Sequence, residues 1–149
     1  MNHRVFSLAF LVVILGGIIG LAQTQVNKDV ASRASHDYSE LNKSPAKARN
    51  RLNPFQNDPD SVAAGQLLFE DHCTECHGTT GEGGKKGPNL RAPEVQNATD
   101  GTLFWLLTNG VAWRGMPVWS RLPEAQRWQL VRYVKSLGIR DGLKPDPKP

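Results

Sequence analysis

Polar and apolar positions divide the chain into stretches of different character. Val5 to Ala22 is a run of eighteen uncharged, mainly apolar residues behind Arg4. Residues 23–57 are polar, rich in Ser, Asn and Lys, and show no sustained apolar period. From Asp58 onward the pattern turns helical. A first helix is predicted to start after Asp58-Pro59-Asp60, where an acidic cap and a proline suit a helix start. It runs through Ala63, Leu67, Leu68 and Phe69 to His72. A second begins with Asp100 as its cap, carries Leu103, Phe104, Trp105, Leu106 and Leu107, and stops at Asn109-Gly110. A third starts at Pro123-Glu124, sets Leu130, Val134 and Leu137 on one stripe, and ends at Gly138. No strand of length competes, so the expected class is all-α with three main helices. The stretches between them, 78–93 and 111–122, are too long and too apolar to stand free in a small domain. Something has to fill the space they enclose.

The length of 149 residues accommodates one small domain, 58–141, with extensions on either side. Residues 142–149, where lysines alternate with prolines, read as a disordered tail. At about 1.5 Å per residue the apolar run 5–22 spans roughly 27 Å, just short of a bilayer core. Two readings of it stand side by side. Its length suits an N-terminal membrane anchor, because cleaved signal cores usually run about 7 to 15 residues. Gly20-Leu21-Ala22 suits a signal peptide cleaved after Ala22, with small residues where the peptidase reads. Either way Arg4 stays inside and everything after Ala22 is exported, which in a bacterium means the periplasm. Residues 23–57 then read as a flexible polar linker, spanning roughly 30 to 35 Å as a coil.

Charge changes the picture only when placed along the chain. The formal net charge is +4. Residues 23–57 carry six basic and three acidic side chains, whereas 58–141 carry nine basic and ten acidic ones. The domain is therefore not basic, which argues against a nucleic-acid partner. Docking of a near-neutral head would rely on a local patch rather than on long-range steering.

The chain has two cysteines, both in the pentapeptide Cys73-Thr74-Glu75-Cys76-His77. This is the attachment signature of a covalently bound c-type haem. Two thiols three positions apart lie on nearly one side of a helical turn, where they can add across the two vinyl groups of a porphyrin edge. The adjacent His77 then projects toward the ring centre, where an imidazole nitrogen can take an axial position on iron. Two other chemistries use Cys-x-x-Cys. A thioredoxin-like couple expects the pair at a helix N-terminus, but here a helical pattern runs into it. A zinc site needs two further ligands at matching spacing, and no second cysteine pair exists.

His77 leaves a second axial position to assign. Met1 is the initiator, so Met116 is the thioether available to the domain. It lies between Gly115 and Pro117, in a loop. The glycine lets backbone approach a ring closely, and the proline restricts the conformations of Met116. A gap-filling core methionine is the alternative, although such a residue more often sits on a helix stripe. A neutral, soft sulfur raises the reduction potential and completes the coordination sphere, leaving electron transfer as the natural work.

With these residues in place, the chain resembles a class I, mono-haem cytochrome c over roughly Asp58 to Leu137. Gly65 and Phe69 fall eight and four residues before Cys73, where that family packs its first helix; Leu130 and Tyr133 resemble the residues of the last helix that it crosses. Gly87-Pro88-Asn89-Leu90 resembles the segment whose proline carbonyl accepts the proximal histidine's hydrogen bond. Gly115-Met116-Pro117 resembles the distal ligand loop, with Trp119 after it as a ring or propionate neighbour. The resemblance implies a small cytochrome c fold wrapped around one haem c joined to Cys73 and Cys76, with iron ligands His77 and Met116 and with Pro88 and Trp119 beside the cofactor. Arg91 and Arg114 stand either as propionate partners or as surface arginines. Trp105, Trp113 and Trp128 suit core or pocket wall. His3, His36 and His72 receive no metal role.

The function so implied is that of a periplasm-facing electron carrier, not an enzyme, passing single electrons between redox protein partners. It is anchored on the inner membrane through 5–22 if that run is uncleaved. Two rivals differ in class: a cytochrome subunit bound permanently in a larger dehydrogenase or terminal oxidase, and a gas- or peroxide-reactive haem with a labile Met116.

Overall fold

A computed structural model describes residues 37–140, the last two in backbone only. Six α-helices occur among them: α1 (Ala46–Arg49), α2 (Asp60–His72), α3 (Thr74–His77), α4 (Pro93–Asn97), α5 (Asp100–Asn109) and α6 (Glu124–Arg140). Two 3₁₀ helices, Ser39–Lys43 and Ala112–Arg114, complete the described elements. The β pairing among the described residues is an isolated antiparallel bridge between Val111 and Met116. None of the described helices is long and apolar enough to cross a membrane. The apolar run 5–22 and the tail 142–149 lie outside the described residues.

Helices α2, α5 and α6 are the three expected from the sequence, with two differences at their ends. Asp100 is the first residue of α5 rather than its cap; the Thr99 hydroxyl accepts from the Thr102 amide at 3.1 Å and caps the helix. Gly138 does not end α6, which continues to Arg140. A Cβ there would lie 2.4 Å from Oε1 of Gln96, so this glycine makes room for that side chain rather than ending the helix. Gln96 belongs to α4, a helix the sequence pattern does not show because it is only five residues long. Its buried amide donates to the carbonyls of Leu90 at 2.7 Å and Val134 at 2.9 Å, tying the loop after the haem motif to α6.

The α2/α6 crossing organises the domain. A Cβ on Gly65 would fall 2.1 Å from the Gln129 carbonyl oxygen and 2.9 Å from Tyr133 Cβ, so the two backbones touch there. One turn further on, Phe69 meets Tyr133 with ring centroids 5.1 Å apart. Phe69, Leu130, Tyr133 and Leu137 form one buried cluster. Val95, Leu103, Phe104, Trp128 and Val131 form the second, in which Phe104 stacks on Trp128 at 3.9 Å. Leu67, drawn into the first helix by its pattern, points to solvent and is 69% exposed.

The linker expected over 23–57 is corrected in its second half: residues 37–57 are folded against the domain. Ser44 is buried, with its hydroxyl 3.0 Å from that of Thr102 in α5. Thr99 donates to the Arg49 carbonyl at 2.9 Å. Buried Asn53 donates to the Trp128 carbonyl at 3.1 Å and accepts from the Phe55 amide at 3.0 Å. These contacts are polar and made by short elements, which is why no apolar period announces them. Asn53→Ala is expected to lower stability by about 1–2 kcal/mol, because it removes a buried hydrogen bond to the Trp128 carbonyl and the acceptor of the half-buried Phe55 amide. Denaturant unfolding of the matured protein would measure it.

Candidate haem-binding site

The haem motif begins where α2 ends. Cys73 is the junction residue, its amide still bonded to the Phe69 carbonyl at 2.8 Å, and α3 carries Thr74 to His77 as a separate turn. The motif therefore follows the C-terminal end of a long helix, as expected, and Cys73 caps only a four-residue turn rather than the long helix at whose N-terminus a thioredoxin-like thiolate would be stabilised. Burial, and secondarily the neighbouring Cys76, push the Cys73 thiol up to about 12. Such a thiol is neutral near pH 7, the opposite of a redox-active cysteine. Among the described residues no group of three or more His, Cys, Asp or Glu side chains could hold a metal ion. The zinc reading therefore finds no ligand set in them.

The two long loops enclose a cavity of about 720 Å³. Its size falls within the range of small-molecule and cofactor sites. All six residues singled out from the sequence line it: Cys73, Cys76, His77, Pro88, Met116 and Trp119. Much of the remaining wall is apolar, and helices α2, α5 and α6 contribute Phe69, Leu103, Leu107, Leu130, Val131 and Val134 to it.

On the proximal side, Nδ1 of His77 lies 3.0 Å from the Pro88 carbonyl oxygen. A carbonyl only accepts, so Nδ1 carries the proton in this bond and Nε2 is the nitrogen with a lone pair for a metal. The approach is close because residue 87 is glycine: a Cβ there would lie 2.9 Å from the Cys76 carbonyl oxygen and 3.0 Å from the imidazole. The loop is held by the Gly83 amide on the His77 carbonyl at 2.7 Å and by the Leu90 amide on the Gly81 carbonyl at 2.8 Å.

On the distal side, the bridge between Val111 and Met116 (3.0 and 3.2 Å) closes a tight loop over the 3₁₀ turn Ala112–Arg114. Gly115 completes that turn at φ +83°, and no protein atom lies within 4 Å of where its Cβ would be. Its left-handed backbone, rather than protein packing, is what calls for glycine here. The Trp119 amide bonds the Leu107 carbonyl at 3.0 Å, and its ring lies 5.2 Å from that of His72.

The tryptophans and arginines separate. Trp128 is core, Trp105 is half-buried away from the cavity, and Trp113 lines the cavity edge while 68% exposed. Arg114 lines the cavity and Arg91 does not. The Nε of Arg114 is buried without a hydrogen-bond partner among the described residues. His72 pairs with Asp71 at 3.3 Å; His3 and His36 lie outside the described residues. The sequence reading missed Asp37, Tyr38, Glu40 and Leu41, which also line the cavity. Nothing in the polar stretch around them signals it.

These residues fit a haem. Two thiols and an imidazole are presented from one wall and a thioether from a second loop, around an apolar cavity. A buried guanidinium nitrogen at the edge still needs an acceptor, which a propionate would supply.

Comparison with known proteins agrees. The family model for cytochrome c oxidase, cbb3-type, subunit III matches residues 60–134. Over 96 residues the chain is 34% identical to the cbb3-type cytochrome c oxidase subunit CcoP of an Azospirillum species, covering 58% of this chain and 32% of that protein. The cytochrome bc1 complex cytochrome c subunit of Corynebacterium diphtheriae is 31% identical over 81 residues, covering 53% and 28%. The CcoP subunit of Rubrivivax gelatinosus is 30% identical over 92 residues, covering 56% and 30%. The chain thus spans about a third of the length of these relatives. Among solved structures, cytochrome CL of Methylophaga aminisulfidivorans shares the fold, with a TM-score of 0.50 at 23% identity, covering 72% of this chain and 87% of that one. The chain belongs to the cytochrome c oxidase, cbb3-type, subunit III family and is a class I c-type cytochrome of all-α cytochrome c fold.

Proposed function

We propose that this chain is a periplasm-facing carrier of single electrons, built on one haem c that Cys73 and Cys76 would hold covalently and whose iron His77 and Met116 would ligate. The observation that supports it best is the convergence of the haem motif, the Pro88 carbonyl and Met116 on one apolar cavity. When bound, the haem supplies a one-electron iron couple. The protein supplies everything that tunes it. Pro88 holds the His77 ring through Nδ1 and makes it a better donor. Met116, delivered by a loop closed at Val111, would contribute a neutral sulfur to the iron and so keep oxygen and peroxide from it. The Arg114 guanidinium offers its buried Nε to a propionate. Trp119, with its amide on Leu107, walls the distal side.

Met116→Ala tests the ligand assignment. The matured variant is expected to keep its haem, lose the sulfur-to-iron charge-transfer absorption of the ferric form, and bind carbon monoxide rapidly when reduced. Unchanged charge-transfer absorption would remove Met116 from the iron. Rapid carbon monoxide binding by the unaltered protein would instead favour the gas- or peroxide-reactive reading.

The names of the relatives favour a second reading, in which the chain serves as a fixed subunit of a larger oxidase or other respiratory complex. Its redox partners then lie within one assembly. Gentle solubilisation of membranes separates the two readings, because a fixed subunit co-purifies in constant stoichiometry and a free carrier does not. An uncleaved apolar run 5–22 would place the head on the periplasmic face of the inner membrane, and cleavage after Ala22 would release it to the periplasm.

A further inference from the structure

We propose that Asp37 and Tyr38 form a clamp that holds the two axial-ligand loops in fixed relation to each other, making both residues positioning residues for the iron centre. The proposal rests on the His77/Met116 reading above.

These two adjacent residues reach opposite sides of the site. Tyr38 reaches the proximal loop: its hydroxyl donates to the Asn89 carbonyl at 3.0 Å, one residue beyond the Pro88 carbonyl that takes His77 Nδ1. Asp37 reaches the distal loop: Oδ2 accepts from Arg114 Nη2 at 2.6 Å, and its backbone carbonyl accepts from Nη1 at 2.9 Å. Arg114 stands two residues before Met116. Two-point capture fixes the orientation of a planar guanidinium as well as its position.

The base of the clamp is itself fixed. The Ser39 amide and hydroxyl donate to Asp37 Oδ1 and Oδ2 at 2.8 and 2.7 Å, opening the 3₁₀ helix Ser39–Lys43. Those two Ser39 bonds are the main reason the Asp37 carboxyl titrates below its usual range, with Arg114 adding to them. Leu41 packs on the buried cluster around Phe104, and buried Ser44 meets Thr102. Tyr38 is half-buried and, like Asp37, lines the cavity.

A thioether is a weak ligand, so how often it leaves the iron depends on how freely its loop moves. Two hydrogen-bonded arms on one rigid turn restrict that freedom, and restrict it in both loops together. The clamp therefore carries a signature that an ordinary surface contact lacks: loosening either arm should mobilise both loops.

The test uses the full-length, matured protein as wild type, Tyr38→Phe, Asp37→Ala and the double variant. Two measurements are made: the rate at which imidazole displaces the sixth ligand of the ferric protein, and amide hydrogen exchange. Removing the Tyr38 hydroxyl bond, or the Asp37 carboxylate bond to Nη2 while the residue 37 carbonyl stays on Nη1, is expected to speed imidazole binding roughly three- to tenfold, in line with one hydrogen bond. Exchange should rise in both 87–91 and 111–118 in each single variant while α2 and α6 stay protected. Unchanged displacement rates with unchanged loop exchange would overturn the clamp, as would a rise spread evenly over all helices. Hydrogen exchange reads the loops without reference to the iron. If wild-type protein shows no charge-transfer absorption, that result counts against Met116 as ligand, and exchange alone decides the clamp.

Discussion

Replacing Cys73 and Cys76 together by alanine is expected to give a polypeptide that carries no haem stain through a denaturing gel. Each single replacement should keep a weaker stain through its remaining thioether. The expectation comes from what is left once both sulfurs are gone. The His77 imidazole, a weak thioether ligand and the apolar walls hold a haem only while the fold persists, and denaturant removes all three. The consequence for the fold should be equally large. Without the cofactor, the walls formed by Phe69, Leu103, Leu107 and Val131 face a cavity of about 720 Å³. Unfilled apolar volume on this scale exceeds what core packing tolerates. The double variant should therefore lose cooperative thermal unfolding in circular dichroism and become protease-sensitive. Haem stain persisting in it would refute covalent attachment at these cysteines.

Gly65→Val is expected to prevent assembly of the domain although residue 65 touches no part of the haem site. The first side-chain carbon would stand 2.1 Å from the Gln129 carbonyl oxygen and 2.7 Å from its carbon. Both are backbone atoms of α6, so no rotamer change relieves the collision. The helices would have to separate, which also parts Phe69 from Tyr133 and uncovers the cluster with Leu130 and Leu137. Overpacking commonly costs about 1–3 kcal/mol and more where backbone must move. A cost of about 3 kcal/mol or more is a large share of a small domain's total of roughly 5–15 kcal/mol. The measurement is the yield of folded, haem-loaded protein and its denaturation midpoint beside Gly65→Ala, which should be milder but still destabilised. A Gly65→Val variant with wild-type stability would show that the crossing is looser than this geometry.

Much of the site was legible from particular residues. The Cys73-Thr74-Glu75-Cys76-His77 spacing is a local chemical requirement, readable wherever the chain goes. Met116 could be singled out because so few thioethers were available and because Gly115 and Pro117 mark a loop. The Pro88 bond to His77 was implied by family resemblance, and the geometry contains it at 3.0 Å. Gly87 stands in the same segment, but that it gives room to the imidazole follows only from the contact distances.

Other features could not be read because they depend on partners distant in sequence. The polar stretch before Asp58 looks like linker, since Ser44, the Arg49 carbonyl and Asn53 are tied to the domain by hydrogen bonds rather than by an apolar stripe. Gly138 looks like a helix stop, and only the docking of Gln96 shows that α6 runs past it. Tyr38 and Arg114 lie 76 positions apart, and no periodicity connects them.

The amino-acid sequence by itself therefore determined the haem motif, the proposed ligands and the helical class, because thiol spacing, side-chain chemistry and helix period are short-range properties of the chain. Tertiary structure alone decided which polar residues before Asp58 belong to the domain, how closely α2 and α6 approach, and which side chains bridge the two ligand loops. Those outcomes rest on contacts between residues tens of positions apart, and such contacts exist only after the chain has closed around the site.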